Sequence, residues 1–467
     1  MAQDEFSIPA VITNTLKDMG YIPDTSMQTK IAEWWSWYSS TAEFYSGNEV
    51  IPGARGQRIR ISRHRLTMRM ARRVCKEWAS LLMGEGFSIS CPDDEAANAA
   101  LSAWEAETAF DLLGEGLVER TFGLGTGAWA LWIAEDEDGT RKIRARTYDA
   151  RAILPLSWDI DDCSECAFVT RVNARGKELT QLQAHVIGDD GTYHIVTHIF
   201  DVKSDKEVTL DGIITDYNTG VSVPTFALIR PAIENIHADI SAMGTSIFDD
   251  AIGAIQLVDN AFDSISREID ATKTKVFMSD ALLDVVDEQG ERITRPMSFD
   301  DTVIRSVAGS GTDDMIQVFS PSIRIDALRQ ALDTSLEVLG DLTGFGQQYF
   351  RLTPQGGLKT ATEVASDNAA LMRNMRRHEI ILRGAAERIC TAVLALMGFN
   401  TKVAATFDDS IITDTVQERT MALSEVGAGV MPRWLYAVKY LGMSEDEART
   451  ITGEAQDAQS QPLGTML

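Results

Sequence analysis

The sequence predicts an α+β chain of several structural units. Three observations carry that reading: two long segments with helical apolar spacing, a strand-rich region ahead of them, and a compact strand-bearing insert between the two helices.

The first helix is the axis of the chain, over residues 244–273. Phe248, Ala251, Ile255, Val258, Phe262, Ile265 and Ile269 recur at steps of three and four, the stripe of a helix with one buried face. Asp249, Asp250, Asp259, Asp263 and Asp270 fall between them and predict an acidic opposite face. Thr245 or Ser246 can cap its start, where acidic residues suit the helix dipole. At 1.5 Å per residue, about 26 helical residues would span about 39 Å, long for a globular helix. A second such helix runs from Ser322 to Leu342, with Ile325, Leu328, Leu332, Leu336 and Leu339 on its apolar side. Between them, 274–321 holds short strand-like runs at Val276–Met278, Val303–Ile304 and Met315–Phe319, and more acidic than basic residues. Such an acidic α/β module is a plausible docking surface for basic partners. Helix, excursion and returning helix suit a subunit that lines a channel and carries a module at its mouth. From periodicity alone, two core helices of an ordinary enzyme are the simpler account.

Composition narrows the classes. At 467 residues the chain has room for two to four units with their own cores, and its 44% hydrophobic and 24% charged content is ordinary for a globular protein. No apolar run is long enough to span a bilayer, so no membrane role is expected. Met1–Glu5 lacks the basic start and apolar core of a signal peptide, so folding in a cytoplasm is expected. Five scattered cysteines give no disulfide framework. Cys163–Cys166 is a lone CxxC without histidines at ligand spacing, and reads as reduced structural thiols rather than zinc. A net charge of −26 opposes generic duplex binding, because phosphate neutralisation is the main sequence-independent attraction. It fits a protein with no nucleic-acid role, or a surface that lets DNA pass without holding it.

In chain order, residues 1–30 are polar with weak helical signals. Ile31–Tyr38 packs four aromatics, with Phe44 and Tyr45 close behind, and reads as core. Arg55–Lys76 contains no acidic residue. Arg58 and Arg60 alternate with Ile59 and Ile61 as on a strand, and from Arg63 the pattern turns helical, with Leu66, Met70, Val74, Trp78, Leu81 and Leu82 inward. Arg58, Arg60, Arg69 and Arg73 are candidates for contact with an acidic neighbour, against a bland account as a solvated, locally paired face. A helix is predicted from Glu95 to Glu119. Gly123–Gly127 then reads as a helix stop and strand start, the reverse of a nucleotide-binding turn.

Residues 129–230 alternate as an antiparallel meander solvated on one side, with His185, His194 and His198 read as exposed strand histidines. After the second long helix, 343–359 carries four glycines, a proline and amides, and predicts a mobile loop. Thr360–Glu363 has the form of a capping box opening the longest helix, with a three-four rhythm through Leu396 to Gly398. A strand at Lys402–Phe407 and helices near 415–427, 432–441 and 444–455 complete the chain, whose last dozen residues look frayed.

Three stretches together resemble the portal proteins of tailed double-stranded DNA phages, of the siphophage type. Pro224–Pro231, Asn235, Gly244–Phe248, Asp259–Asp263 and Arg267-Glu268 are similar to the entry of that family's first stem helix. Thr360–Val364 is similar to the start of its long helix, and Phe407–Ile411, Asp414, Ala428-Gly429 and Met443–Ala448 to its closing segment. The aromatic cluster near Trp34 and the helix near Trp78 agree.

The resemblance implies a ring of about twelve subunits around a DNA channel at one capsid vertex. It implies 1–243 as wing, 244–273 and 322–342 as stem helices, and 274–321 as clip. Residues 343–359 would be the tunnel loop, 360–398 the long wing helix and 399–467 a helical crown. The implied partners are double-stranded DNA, the terminase large subunit, a head–tail connector, and the major capsid and scaffolding proteins. Assembly in the host cytoplasm is implied; from the residues themselves no cofactor and no metal site is expected. A channel for moving DNA should lack tight phosphate sites. Gln347, Gln348, Arg351, Gln355 and Lys359 are then the expected DNA-facing residues, and Asp249, Asp259, Asp263 and Asp270 the acidic channel face.

The competing classes are a metal-dependent nuclease or other soluble enzyme, and a non-channel connector or minor capsid protein. The first needs a constellation that the sequence does not show: no GxSxG, no P-loop, and His378-Glu379 lacks the second histidine of HExxH. Asp159–Asp162 could hold a divalent cation, but acidic turns of this kind are commonly just solvated. The second class is usually shorter and lacks the helix–insert–helix plan.

Overall fold

The computed structural model describes residues 8–52, 58–84, 87–135, 141–159, 162–174, 176–210, 213–279, 285–286, 292–293, 303–306, 316–352, 361–407 and 422–452. Helix α1 (Ala10–Asp18) buries Ile12 and Leu16, and α2 (Gln28–Tyr38) buries Ile31, Trp34 and Trp37. Trp37 packs against Phe44 and Tyr45 with centroids 5.6 Å apart in each case, so the aromatic cluster is core as expected. Strands β1 (Ser46–Pro52) and β2 (Arg58–His64) form an antiparallel hairpin. Helix α3 (Met70–Met83) turns Met70, Val74, Trp78 and Leu82 inward and leaves Arg69, Arg72, Arg73 and Lys76 exposed.

After β3 (Ser88–Ser90), the single helix expected over 95–119 is two: α4 (Glu95–Thr108) and α5 (Phe110–Leu124). The break is Ala109, in the left-handed region at φ 50°. It ends α4 and swings Phe110 into the core against Trp104 and Trp129, at 5.2 and 4.9 Å. Burial of a large aromatic outweighs the small cost of one αL residue.

The strands are β4 (Gly127–Glu135), β5 (Arg141–Asp149), β6 (Ile153–Trp158), β7 (Cys163–Ala174), β8 (Lys177–Ile187), β9 (Tyr193–Asp201), β10 (Asp216–Asn218) and β11 (Phe226–Ile229). They make two sheets: a five-stranded antiparallel meander, β10-β9-β8-β7-β6, and a three-stranded β11-β4-β5. His194 and His198 share a face of β9 and bond Asp216 and Glu207 at 2.9 and 2.7 Å. His185 departs from expectation. It is fully buried between Phe168 and Phe226, with Nδ1 2.6 Å from Thr225 Oγ1, and burial pulls its pKa down to about 3. Both faces of β8 are covered there, so alternation could not assign it to solvent. The thiols of Cys163 and Cys166 are buried and free, as are the other three.

Helix α6 (Ile252–Ala271) begins eight residues later than the stripe suggested. Gly244 passes Gly125 so closely that a Cβ on either would lie 2.5 Å from the other's carbonyl oxygen. The Gly244 and Ile247 amides donate to Thr126 Oγ1 and Phe122 O, at 2.9 Å each. Thr245 and Ser246 are therefore buried in a pinned, non-helical segment, and neither caps α6, which Ala251 precedes without a side-chain cap. Gly125 itself, at φ 81°, ends α5 as the glycine run predicted.

In the insert, β12 (Lys275–Ser279) is followed by the pair β13 (Val285–Val286) and β14 (Arg292–Ile293), then β15 (Val303–Ser306) and β16 (Ile316–Phe319). Strand β12 is central, parallel to β15 and antiparallel to β16. Helix α7 (Ile325–Leu342) returns along α6. Helix α8 (Ala361–Leu396), of 36 residues, is the longest of the described elements. Thr360 of the anticipated capping box lies outside the described residues. Strand β17 (Ala404–Thr406) pairs with β3, tying the C-terminal part back to the N-terminal half. Residues 422–427 are helical, then come α9 (Arg433–Leu441) and α10 (Glu445–Thr452). One continuous apolar core runs from Met27 to Ala405, and a smaller one lies between α1 and the five-stranded sheet.

Candidate functional site: the helix pair and the root of the 343–359 loop

Helices α6 and α7 lie side by side, and Ala254, Ile255 and Val258 of the first and Leu332, Leu336 and Leu339 of the second are buried in the same core. The expected acidic face of α6 is not an open face. Asp259 is fully buried: it accepts from the Tyr45 hydroxyl (2.8 Å), the Thr67 hydroxyl (3.0 Å) and the Met68 amide (2.8 Å). Asp263 is buried beside it and accepts from the Leu66 amide (3.2 Å), with Arg267 Nε at 2.9 Å. Asp249 accepts from Trp34 Nε1 and lies beside His237 Nε2, each at 2.6 Å.

The cause is the stretch 65–69 between β2 and α3. It belongs to no strand or helix, so its backbone N–H groups need acceptors, and two carboxylates four residues apart on one helix supply them. Three of the four aspartates expected on a channel wall are thus anchors within the subunit, and only Asp270 is exposed, paired with Lys273 at 2.7 Å. Burial raises the Asp259 pKa, opposed by the Met68 amide and the Tyr45 and Thr67 hydroxyls. The outward line of α6 is instead Gly253, Leu257, Asn260 and Arg267, and Leu257 is 56% exposed.

The mouth of the insert is clamped by a pair that periodicity did not reveal. Glu268 takes Arg324 Nε and Nη2 at 3.0 and 2.8 Å and the Arg324 amide at 3.1 Å. These bonds hold the Glu268 carboxyl below its usual range. The end of α6 is thereby fixed to the start of α7.

The loop after α7 was expected to be mobile from Thr343 onward, yet its first ten residues are pinned. Phe345 and Phe350 are buried, and Phe345 meets the Trp78 ring at 4.6 Å. Trp78 Nε1 donates to Thr343 O (3.0 Å) and Asn374 Nδ2 to Gly344 O (2.9 Å). A Cβ at Gly340 would collide with the Gly346 carbonyl. Tyr349 donates to Glu77 (2.9 Å), the Leu352 amide to Asp333 (3.0 Å), and Arg351 lies 3.1 Å from Glu337 of α7. Gln347 is exposed and Gln348 half-buried; Gln355 and Lys359 lie outside the described residues. The aromatic residues among the glycines were the sequence signal for this anchored root.

Behind the root, His378 of α8 stacks edge-on with Trp78 (4.9 Å) and Phe122 (4.8 Å) and accepts from the Ala232 amide at 3.0 Å. Burial, with help from Arg377, lowers its pKa to about 4, so it is a neutral acceptor. Of the basic segment, Arg58 and Arg60 occupy β2 positions opposite Pro52 and Val50. Arg72 pairs with Glu119 (3.1 Å), and Arg73 lies 3.8 Å from Glu77 and 5.5 Å from the centre of the Phe350 ring. Arg69 is exposed at the start of α3.

In the Asp159–Asp162 turn, Asp162 accepts from Arg388 at 2.6 Å and from the Cys163 amide at 2.8 Å. No group of three or more His, Cys, Asp or Glu among the described residues could hold a metal ion. No described helix is long and apolar enough to cross a membrane.

A sequence model of the family described as "Phage portal protein, SPP1 Gp6-like" matches residues 37–461. No curated protein matches the chain. Among solved structures, a chain from "Neck of empty GTA particle computed with C6 symmetry" is similar, at 11% identity and TM-score 0.41, over 94% of this chain and 98% of that one.

Proposed function

The chain belongs to the SPP1 Gp6-like family of phage portal proteins, and from that premise we propose that its copies close into a ring around a channel for double-stranded DNA. The family match over residues 37–461 carries the reading. The protein is a portal at the virion's head–tail junction, with a mixed α and β fold. Its role is mechanical rather than catalytic: a passage for the genome and a platform for attachment.

Residues 244–273 and 322–342 are then the stem, 274–321 the clip, 343–359 the tunnel loop and 360–398 the long wing helix. The wing comprises 1–243, and the crown lies within 399–467, although strand Ala404–Thr406 sits with the wing through its pairing to Ser88–Ser90. The subunit leaves apolar residues of both stem helices in solvent: Leu257 and Ile269 of α6, Val338 and Leu342 of α7. Neighbouring stems in a ring would bury them. The clip docks the terminase large subunit during packaging and a connector afterwards, and the wing meets capsid and scaffold. Assembly takes place in the host cytoplasm.

Gln347, Gln348, Gln355 and Lys359 offer weak, renewable contacts to passing DNA. Arg351 can join them only by leaving Glu337. The exposed basic face at Arg69 and Arg73, with Arg58 and Arg60 on the preceding strand, meets an acidic neighbour. Light scattering of the purified chain tests the assembly. A mass near twelve subunits supports a ring, and a stable monomer or dimer at micromolar concentration contradicts it.

A further inference from the structure

A cavity of about 360 Å³ lies where the two large sheets meet. Arg120 of α5, the end of β5, the turn at Arg151 and the face of β7–β8 form its walls, and Ile8 and Pro9 close one side. On that sheet face Arg171 stands directly opposite Thr180. The seam is held by two hydrogen bonds from β5 to β8, Arg146 to Gln181 (3.1 Å) and Tyr148 to Gln183 (3.3 Å).

The charge of this cavity is the reverse of the chain's. Three arginines and a single carboxylate line it, in a protein of net charge −26. That carboxylate, Asp149, is neutralised by Arg151, whose Nε and Nη2 hold it at 2.9 and 2.8 Å while the guanidinium lies 3.7 Å from the centre of the Trp35 ring. Arg120 directs Nε to the Gly116 carbonyl (3.1 Å) and Nη2 to Thr147 Oγ1 (3.4 Å), both neutral acceptors. Arg171 has no ion-pair partner among the described residues. Each guanidinium carries five donors, so two positive groups share one recess with donors to spare and no counter-charge. Like charges that line one recess repel, and an anion between them relieves that repulsion.

We propose that this recess is an oxyanion site, which takes a carboxylate or phosphate group between Arg120 and Arg171. The planar fork of arginine matches both groups. The volume suits a citrate-sized molecule or one acidic side chain, and is too small for a nucleic-acid duplex. The anion comes from a free small polyanion or from an acidic side chain of the neighbouring copy, the second source resting on the proposed ring.

Isothermal titration of the purified full-length protein with citrate and with inorganic phosphate tests this. Wild type, Arg171→Glu and Arg120→Gln are compared, with light scattering and thermal melts in anion-free buffer on each. Saturable binding near one per chain, weakened at least tenfold in both variants at unchanged mass, identifies a free anion as the ligand. No anion binding by wild type, with a loss of assembled mass in Arg171→Glu that still melts cooperatively, identifies a neighbour's carboxylate. If wild type binds neither anion and both variants keep their mass, or if the variants bind as wild type does, the proposal is wrong. Arg171 is an exposed strand position, so its variant keeps the test valid should Arg120→Gln fail to fold.

Discussion

Replacing Asp259 by Ala separates the two roles open to the acidic residues of α6. If Asp259 is an anchor, three donors lose their acceptor at once: the Tyr45 and Thr67 hydroxyls and the Met68 amide. A hydrogen bond to a charged group contributes about 1.5–3 kcal/mol, and an unmade buried one costs about 1–3 kcal/mol. Burying the carboxylate itself is unfavourable, as its raised pKa records, and that offsets part of the sum. A net loss of about 3 kcal/mol in local stability is expected.

Hydrogen exchange reads it directly, because Leu66 and Met68 donate their amides to Asp263 and Asp259. At about 1.4 kcal/mol per factor of ten, the Met68 amide should exchange about a hundredfold faster in the variant. Tyr45→Phe removes one of the three donors and should cost about 1.5–3 kcal/mol alone, but much less in the Asp259→Ala background. Unchanged protection of residues 65–69, or strictly additive effects of the two substitutions, would refute the anchor and return Asp259 to an open acidic wall.

Glu105 predicts a pH response: burial first, then Asp111, raises its pKa to about 7. A carboxyl raised in the folded state favours folding most below about pH 4.5, and that contribution is lost as pH rises through 7. Because the group is partly solvated, screening reduces the effect to on the order of 1 kcal/mol, and Glu105→Gln should raise the melting temperature at pH 8 but not at pH 4.5. His378 works in the opposite sense. With its pKa lowered to about 4, its contribution is complete above about pH 6.5 and lost as pH falls through 4, so acid melts of wild type should show a decline that His378→Gln flattens. Gly340→Ala should destabilise by about 2 kcal/mol, through the clash with Gly346, whereas Gly253→Ala, in open space on α6, should stabilise by about 0.5–1 kcal/mol; thermal melts of the two distinguish them.

What the sequence made legible was set by period. The apolar stripes of α6, α7 and α8, the inward line of α3 and the meander over β6–β10 follow from spacings of 3.6 and 2. The positions that misled are those where a single tertiary contact decides. The pairing of Gly125 with Gly244 delays the start of α6, and Ala109 breaks a helix so that Phe110 can reach Trp129. An aspartate that bonds a distant backbone is indistinguishable in sequence from one facing water, because both occupy the gaps between apolar residues. That is why the sequence suggests a channel wall at Asp259 and Asp263 and gives no sign that Glu268 clamps Arg324. Likewise Arg120 and Arg171, fifty-one positions apart, meet only once the two sheets are folded together.

The central claim is a ring of stems around an open passage, and electron microscopy of the purified protein tests it most directly. Class averages should show closed rings of uniform copy number, with a central hole that admits a DNA duplex and with α6 and α7 of every copy bordering it. Isolated subunits, or closed oligomers in which those helices lie far from any axial opening, would contradict the account.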